Sequence, residues 1–478
     1  MSTITGTTIN SGVTLSTSGS YTSPLTIASD GAVEVSSGDA IYGANTQAWT
    51  IVNQGTVSAS SGYGVRLNGA GYIGNATGAL IAGNRATAAG LDANGAGTVV
   101  NSGTIIGTTD AIFFNAGGYV NNSGGLIQGS DRGIYMRQGL DTVVNSGTIT
   151  GTSVSNGIGV NLRDANSTLV NAGTIRGASG TAVFFAAGGN LVAVDPGAVF
   201  NGIVNGGTGA GNVLELTSAA SAGVASGIGA EYVGFSLVAV DSGAHWIFAG
   251  SNTIGGGVTL ANLGTVSAIS GNAVYGSSGT VVNGNSASTT ALIAGGNGAI
   301  GSPGYSYGGS GGSGGAGVVM TGGGSIGNSG TVRGGNGGYG GDAISVIGTG
   351  GTGGAGGAGI DLSGGGSVTN SGLVFGGTGG AAGLGTYPAS GGAGGAGIHL
   401  SDGGTILNLG TIFGGAGGVG DPAGLNGNGI VLSAGGVVTN GSLGTAGALI
   451  SGRIGVAAYG AAGATIVDYG TIVGSDGI

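Results

Sequence analysis

An acidic residue and a histidine at equivalent positions of two similar segments are the best candidates for chemistry. Asp361 is the third residue of GIDL, and His399 is the third residue of GIHL. If these segments are strands of neighbouring repeats, strand spacing puts the two side chains about 5 Å apart. A carboxylate beside an imidazole can serve as a general base or as a pair of metal ligands. The alternative is a solvated surface pair, which we favour because the chain has only 2 histidines and so no histidine cluster.

One segment carries a calcium-binding pattern. Residues 337–345, GGYGGDAIS, match the nonapeptide G-G-x-G-x-D-x-U-x, in which Asp342 is the acidic ligand. In such sites the ion lies between consecutive turns that both supply ligands, so a single copy leaves the site incomplete. Asp342 is therefore the one candidate for Ca²⁺, and the sequence predicts no other cofactor.

Charged and aromatic side chains come together in the first part of the chain. We interpret the charged set as a salt-bridged surface, and its members are Asp131, Arg132, Arg137, Asp141, Arg163 and Asp164. Phe113, Tyr135 and Phe184 each occupy the third position of a four-residue segment of the same kind. Aromatic rings exposed there can stack on sugars or pack against a neighbouring molecule. We therefore predict a contact face at these three aromatic residues.

The composition argues against catalysis and against nucleic-acid binding. Enzymes that act on polysaccharides need carboxylates clustered with cations or a metal, whereas this chain of 478 residues has only 18 acidic and 8 basic side chains. The net charge of -10 has the wrong sign for contacts with phosphates. The chain has no cysteine, no recognisable signal peptide and no apolar run near the roughly 20 residues of a membrane helix. We expect no enzyme, no nucleic-acid partner and no membrane span.

The elements that position these side chains are short repeated strands. Ten segments share the motif N-x-G-T-[IV] with small variations, and they begin at Ile51, Val99, Tyr119, Val143, Leu169, Leu260, Ile326, Val368, Ile406 and Ile466. A second motif, G-[IV]-x-[LMF], precedes the first by about ten residues and is apolar at its second and fourth positions. Such alternation is typical of short strands, and a period of roughly 20 to 26 residues marks an array of stacked units.

Three short strands per repeat predict an all-β fold, a right-handed parallel β-solenoid. The strands are the G-[IV]-x-[LMF] segment, the segment that ends in the asparagine, and the G-T-[IV] segment. Because side chains alternate along a strand, Ile134 and Met136 are expected to point inward, with Tyr135 facing outward. The two inward side chains are expected to stack on Val160 and Leu162 of the next turn.

One asparagine per repeat forms a column. Its members are Asn53, Asn101, Asn122, Asn145, Asn171, Asn262, Asn328, Asn370 and Asn408. Asparagine tolerates the left-handed conformation at a bend, and amides stacked at strand spacing can hydrogen-bond along the column as a ladder. We interpret the column as structural, and a ligand site made of these amides is the alternative.

The repeats divide into two modules. Residues 1–252 form the first, with a bulkier closing segment at 205–252, and residues 253–478 form the second, because TIGGGVTL from Thr253 echoes TINSGVTL from Thr8. Glycine-rich corner insertions in the second module span about residues 296–317, 335–358, 377–396 and 415–428. Such tracts either stay flexible or pack as polyproline-II-like strands, and we favour order because they recur on neighbouring repeats. No second closing segment precedes residue 478, so we expect a longer parent protein or an open end that receives another chain.

The N-S-G-T-I repeats and the segment 214–254 resemble the β-strand-repeat passenger regions of bacterial autotransporters and adhesins. Those regions are built on a pectate-lyase-like right-handed β-helix, and the resemblance covers nearly the whole chain. It implies an adhesive or scaffolding role in a secreted or surface exoprotein. Because no signal peptide is recognisable, it also implies export by another route or removal of flanking parts.

We therefore expect a non-enzymatic structural protein located outside the cell or on the bacterial cell surface. As an adhesin stalk, matrix component or filament subunit, it would assemble with copies of itself head to tail through open solenoid ends, with glycans or a cell surface as further partners. One alternative is a protein that binds or degrades polysaccharides. A second alternative is an ice- or mineral-binding surface built on an outward threonine column, namely Thr104, Thr148, Thr174, Thr331 and Thr411.

Overall fold

Short strands that pair with strands one repeat away make up the regular structure of this protein. The computed structural model describes residues 1–85, 89–444, 447–460 and 463–476. In these residues the strands pair in parallel and stack as a β-solenoid of about 19 turns, without a helix. The fold class predicted from the repeats is therefore confirmed. It follows that the described part of the chain holds no helix able to cross a bilayer.

The strands are two to twelve residues long. Those from Ser2 to Asn205 are β1 (Ser2–Ile4), β2 (Thr8–Ile9), β3 (Val13–Leu15), β4 (Leu25–Ile27), β5 (Ala32–Val35), β6 (Ile41–Gly43), β7 (Trp49–Asn53), β8 (Thr56–Ala59), β9 (Val65–Leu67), β10 (Gly71–Asn75), β11 (Leu80–Gly83), β12 (Leu91–Ala93), β13 (Gly97–Asn101), β14 (Thr104–Gly107), β15 (Asp110–Phe114), β16 (Gly118–Asn122), β17 (Leu126–Gly129), β18 (Arg132–Met136), β19 (Asp141–Asn145), β20 (Thr148–Gly151), β21 (Ile158–Leu162), β22 (Thr168–Asn171), β23 (Thr174–Phe185), β24 (Leu191–Val194) and β25 (Val199–Asn205).

The strands that follow are β26 (Val213–Leu216), β27 (Gly223–Ala225), β28 (Tyr232–Val233), β29 (Leu237–Val240), β30 (His245–Phe248), β31 (Thr259–Asn262), β32 (Thr265–Ser267), β33 (Val274–Gly276), β34 (Thr280–Asn283), β35 (Leu292–Ala294), β36 (Val318–Met320), β37 (Ser325–Asn328), β38 (Thr331–Arg333), β39 (Ile360–Leu362), β40 (Ser367–Asn370), β41 (Leu373–Phe375), β42 (Ile398–Leu400), β43 (Thr405–Asn408), β44 (Thr411–Phe413), β45 (Ile430–Leu432), β46 (Gly436–Asn440), β47 (Leu449–Gly452), β48 (Val456–Ala458), β49 (Ala464–Asp468) and β50 (Thr471–Gly474).

The first compact unit comprises residues 1–215 and 231–236. We number the strands of a turn by motif, so that the first strand carries G-[IV]-x-[LMF], the second ends in the asparagine and the third carries G-T-[IV]. In this unit the first and third strands belong to one sheet of 17 strands. Ile134 pairs in register with Val160, and Met136 pairs with Leu162. All four side chains are fully buried, while Tyr135 between them is half-buried on the opposite face. The stacked core predicted from the alternation is therefore confirmed.

A glycine forms the corner between the third strand of one turn and the first strand of the next. A Cβ atom on Gly107 or Gly129 would lie 1.8 Å from the carbonyl oxygen of Asp110 or Arg132, respectively. Real Cβ atoms essentially never come closer than 3.0 Å to such an atom, so only glycine fits. The tight corner brings β14 against β15 and β17 against β18. The sheet is therefore sharply folded along this line.

The second compact unit comprises residues 216–230 and 237–478. Here first and third strands lie in separate sheets, of 6 and 9 strands. In the first unit β23 runs through the corner and pairs with both β20 and β21, which joins the two kinds of strand. In the second unit glycine-rich insertions leave the solenoid at this corner, for example between β35 and β36 and between β38 and β39. The module boundary at 252/253 is a feature of the sequence repeats, and it stays a prediction.

The glycine-rich insertions form an ordered bundle of paired legs. The outgoing legs are residues 296–304, 334–342, 376–384 and 414–419, and the return legs are 308–316, 349–358, 390–396 and 424–428. Gly298 donates its N–H to the carbonyl of Asn336 on the next outgoing leg at 2.8 Å, and Gly312 donates to Ala299 on an antiparallel leg at 2.7 Å. Such bonds recur every third residue, which matches the three residues per turn of polyproline II. We call this array the glycine bundle. Its order agrees with the prediction that the glycine-rich insertions pack against one another rather than stay flexible.

Two of every three residues in the inner legs have no room for a side chain. A Cβ atom on Gly337 would lie 1.9 Å from the carbonyl oxygen of Gly354, and one on Gly338 would lie 1.9 Å from that of Ala299. The third position points out of the bundle and carries side chains such as Tyr339, which is exposed. The G-G-x pattern of the insertions follows from this packing.

Candidate functional site

The outward column of first strands in the first unit contains the predicted aromatic residues. We call this column the column face, and its members in order are Arg66, Asp92, Phe113, Tyr135, Asn161 and Phe184. Phe113 and Tyr135 are neighbours, whereas Asn161 separates Tyr135 from Phe184. The residues on either side of each member in its strand are fully buried, so the column is fixed to a packed sheet.

Arg132 joins the aromatic and acidic parts of this region. Its Nε donates a hydrogen bond to Oδ1 of Asp110 at 2.7 Å. Its guanidinium carbon lies 3.8 Å from the centroid of the Tyr135 ring, which is a cation–π distance. The Phe113 and Tyr135 rings have centroids 5.4 Å apart and are tilted by 46°. These contacts hold Tyr135 in one orientation, so the aromatic platform is formed in advance of any ligand.

Several side chains here are buried although they point away from the core. Asp92 is 9% exposed, Asp110 is 7% and Asn161 is 6%. All three lie on first strands, namely β12, β15 and β21, that contact the third strand just before them across a corner. Burial raises the pKa of Asp92 to about 6, with Arg66 acting in the opposite direction. Burial likewise raises the pKa of Asp110 to about 6, although Arg132 lowers it.

This arrangement suits an uncharged polar ligand. A carboxyl group that titrates near pH 6 is protonated part of the time, so Asp92 can donate as well as accept hydrogen bonds, whereas Arg132 holds Asp110 as an acceptor. Oδ1 of Asn161 is buried without a hydrogen-bond partner, so a ligand reaches it only when the side chains that cover it move. The Phe113 and Tyr135 rings add apolar surface for stacking. A sugar presents the matching features, since its ring has an apolar face and hydroxyl groups at its edge.

Asp361 and His399 are adjacent in the second unit, on β39 and β42. Nδ1 of His399 lies 3.2 Å from Oδ1 of Asp361, a close charge contact that is not aligned as a hydrogen bond. Nε2 lies 3.0 Å from the hydroxyl of Ser433 and 3.4 Å from that of Ser401. Both members of the pair are 31% exposed on an open sheet. We interpret them as a solvated cluster that has the side chains of a hydrolytic triad without its enclosure.

Asp342 lies at the outer end of the glycine bundle. Its Oδ1 accepts the N–H of Leu384 at 2.8 Å, so the carboxylate joins two neighbouring legs. Over the described ranges, no three His, Cys, Asp or Glu side chains are grouped closely enough to hold a metal ion. Calcium binding at Asp342 stays a prediction.

The asparagine column forms a buried amide ladder in each unit. Nδ2 of Asn101 donates to Oδ1 of Asn122 at 2.7 Å, and Nδ2 of Asn122 donates to Oδ1 of Asn145 at 2.9 Å. The ladder comprises Asn53, Asn75, Asn101, Asn122, Asn145 and Asn171 in the first unit, and Asn262, Asn283, Asn328, Asn370, Asn408, Asn440 and Asp468 in the second. It contains all nine residues that the sequence predicts for the column.

Sequence reasoning missed three members of the ladder. Asn75, Asn283 and Asn440 are followed by longer turns, which separate the asparagine from the third strand and obscure the G-T-[IV] signal. The expected left-handed conformation is wrong for the column, because Asn166 is the one non-glycine residue with positive φ in the described part of the chain. The asparagines are therefore required for their amide groups rather than for their backbone tolerance.

The predicted threonine column is interrupted by leucines. In the first unit Leu126 lies between Thr104 and Thr148. In the second unit Leu373 separates Thr331 from Thr411 in the same way. The regular hydroxyl array on which the ice- or mineral-binding alternative depended is therefore absent at these strands.

Asp141 differs from the salt-bridged surface that the sequence predicts for its charged neighbourhood. It is 1% exposed, and neither of its carboxylate oxygens has a hydrogen-bond partner. Burial and the charge of Asp164 raise its pKa to about 7. The N–H of Gly118 acts in the opposite direction but is not placed for a hydrogen bond. The salt-bridge prediction is thus wrong for Asp141, and Arg132 of the same set pairs with Asp110, which lies outside it.

No protein-family model, curated protein or solved structure matches this chain. The geometry itself defines the class, which is a parallel β-solenoid repeat protein with a glycine bundle inserted at one corner. Within that class the described residues form a polar and aromatic face and two buried amide ladders.

Proposed function

We propose that this protein is a non-enzymatic structural component of a bacterial surface or extracellular matrix, of the adhesin-like kind that its repeats resemble. The amide ladder carries the proposal. Within each ladder, every added turn contributes parallel backbone hydrogen bonds and one buried amide contact in register, for example from Asn122 to Asn145. Such a stack resists unfolding with very little side-chain chemistry. The role that follows is that of an adhesin stalk, matrix component or filament subunit outside the cell.

Head-to-tail assembly is the second part of the proposal. Among the described residues, β49 and β50 each pair with an earlier strand on one edge only. The N–H of Tyr469 bonds back to the carbonyl of Asn440 at 2.7 Å, so the alternation of the strand directs the N–H of Ile466 away from β46. A strand edge of this kind is a template for another strand. In the proposed assembly a second copy supplies one through β1 and β2, which among the described residues pair with β4 and β5.

A proline substitution tests this assembly. Ile466→Pro removes one outward N–H and leaves the bonds toward β46 in place, so we expect it to abolish end-to-end association. Ile466→Thr keeps the N–H and serves as the matched control. Light scattering and electron microscopy of both variants and the wild type provide the measurement. Wild-type protein that stays monomeric at high concentration, or a proline variant that assembles normally, would refute the head-to-tail arrangement.

The column face favours a second function, the binding of polysaccharide. Its ring pair, Phe113 and Tyr135, lies in register between Asp92 and Asn161, and Arg132 holds the Asp110 carboxyl group beside Tyr135. We expect Tyr135→Ala to weaken retention on gels that contain neutral polysaccharide by about tenfold. Tyr72→Ala removes an exposed ring from β10, outside the column face, and is the control. Equal retention of both variants and the wild type would rule this function out.

A further inference from the structure

The glycine bundle ends in an apolar surface that the structural role does not require. Residues 303–308, 343–349 and 384–389 connect three outgoing legs to their return legs. Seven large side chains project from these loops, and we call them the tip surface: Tyr305, Tyr307, Ile344, Val346, Ile347, Leu384 and Tyr387. Val346 is 86% exposed, and the other six are between 55% and 77% exposed. Isolated exposed apolar residues are ordinary, but a cluster of this kind marks an interaction site.

Hydrogen bonds between neighbouring loops make the tip surface continuous and ordered. Ser345 donates its N–H to the carbonyl of Tyr305 at 2.7 Å, and Tyr387 donates to Gly348 at 3.1 Å. Parallel bridges also link Thr349 to the loop on either side of it. Because these backbone groups are already paired, they can leave water without losing a hydrogen bond. The surface is also preorganised, so binding does not have to order a loop.

The chemistry of the tip surface fits a lipid bilayer better than a sugar. The three loops, PGYSYG, AISVIGT and LGTYPA, contain no charged residue. Two carboxylates border them: Asp342 directly precedes the second loop, and Asp421 of the fourth connection donates its N–H to Ala389 of the third. Ile344, Val346 and Ile347 offer a sugar no hydrogen-bonding group, whereas aliphatic side chains enter an acyl layer readily. Tyrosines beside them match the headgroup level of a membrane, where amphipathic rings are enriched. With a net charge of -10, the chain is repelled by anionic lipids rather than attracted.

We infer that the tip surface binds a lipid bilayer with zwitterionic or uncharged headgroups. Ile344, Val346 and Ile347 insert at the boundary of the acyl chains, and the tyrosines remain at headgroup level. This contact is peripheral and needs no membrane span. It goes beyond the structural role proposed above. Membrane binding depends on the glycine bundle, whereas head-to-tail assembly depends on the edges of the solenoid. Either proposal can therefore fail while the other stands.

Sedimentation with phosphatidylcholine vesicles tests the inference on the full chain. Val346→Asp places a charge at the most exposed position, and we expect it to lower the bound fraction at least about tenfold. Ile269→Asp is the matched control, since Ile269 is 74% exposed and follows β32 at the base of the bundle, beside Gly296. The tips lie about 25 Å further along the legs, from eight residues at polyproline-II rise. Both side chains are exposed, so circular dichroism should show an unchanged fold.

A tryptophan at the tip gives an independent readout. Trp49 and Trp246 are 1% and 2% exposed, so their emission provides a constant background. We expect Val346→Trp emission to shift to the blue when phosphatidylcholine vesicles are added, and phosphatidylserine in the vesicles to weaken binding.

Four outcomes would overturn the inference. The first is wild-type protein that does not sediment with phosphatidylcholine vesicles, and the second is equal binding by Val346→Asp and the wild type. The third is stronger binding to anionic vesicles. The fourth is a wild-type protein that does not bind vesicles but does form dimers or bind glycans, with Val346→Asp abolishing that activity. This outcome would place a second copy or a sugar on the tip surface.

Discussion

Replacing Asp141 by asparagine is expected to stabilise the protein at pH 8 and to do so less at pH 5. Asp141 begins β19 in a buried column that continues through Ser167 and Asn190 to Asn212. In that column Asn190 donates its N–H to Oδ1 of Asn212 at 3.1 Å, so amide side chains fit the site. Asparagine keeps the shape of Asp141 and removes its charge. The variant therefore isolates the effect of a buried, unpartnered carboxylate.

The magnitude follows from the pKa of Asp141, which burial and Asp164 raise from 3.8 to about 7. The folded state thus holds the proton more tightly than the unfolded state does. The stability that this proton provides is fully present below about pH 4 and is lost as the pH rises to about 7. At pH 8 the ionised carboxylate costs about 4 kcal/mol of unfolding free energy, and at pH 5 it costs about 2 kcal/mol. Local relaxation around the charge lowers both figures.

Hydrogen exchange is the appropriate assay, because a repeat array need not unfold in one step. Protection factors of the β19 amides, measured at pH 5 and pH 8, report the local free energy of opening. We expect Asp141→Asn to raise them most at pH 8. Asp402→Asn changes an exposed carboxylate and should leave them unaltered. A variant no better protected than the wild type at pH 8, or a gain of equal size at both pH values, would refute the reasoning.

Three further predictions concern the ladder, the bundle and the column face. Asn122→Ala leaves buried amide groups of the ladder unpaired, so local stability measured by exchange should fall by about 3 kcal/mol, whereas Ser123→Ala at an exposed site should have little effect. Gly338→Ala should accelerate exchange throughout the glycine bundle, because its Cβ would lie 1.9 Å from a carbonyl oxygen; slow exchange there would contradict the packing. Arg132→Gln removes the cation that lowers the pKa of Asp110, so an NMR titration should place that pKa above 6, and an unchanged value would dismiss the ion pair.

Much of the fold is predictable from the sequence because the repeat is local. Alternation within G-[IV]-x-[LMF] identifies inward residues such as Ile134 and Met136, and equal spacing puts Asp361 beside His399. The asparagine ladder follows from the same equal spacing wherever the G-T-[IV] motif is intact. It is missed at Asn75, where a longer turn intervenes.

The candidate site was harder to predict because its burial is not local. Asp110 and Arg132 are one repeat apart in the chain, yet only their register in β15 and β18 makes them a pair. The buried state of Asp141 depends on how neighbouring turns close over it, and its own segment carries no sign of this. The apolar tip surface is not predictable from any one insertion, because it forms only where three separate insertions end side by side.

The sequence by itself determined the strands, their inward faces and the need for glycine, since each follows from the alternation of side chains and from spacing along one chain. Only the tertiary structure decided which outward residues leave water. Part of the physical reason lies in the corners: Gly107 allows a backbone approach that no other residue permits, so β14 lies against β15, where outward residues such as Asp110 are buried. Burial then sets their chemistry, because a carboxyl removed from water holds its proton to higher pH.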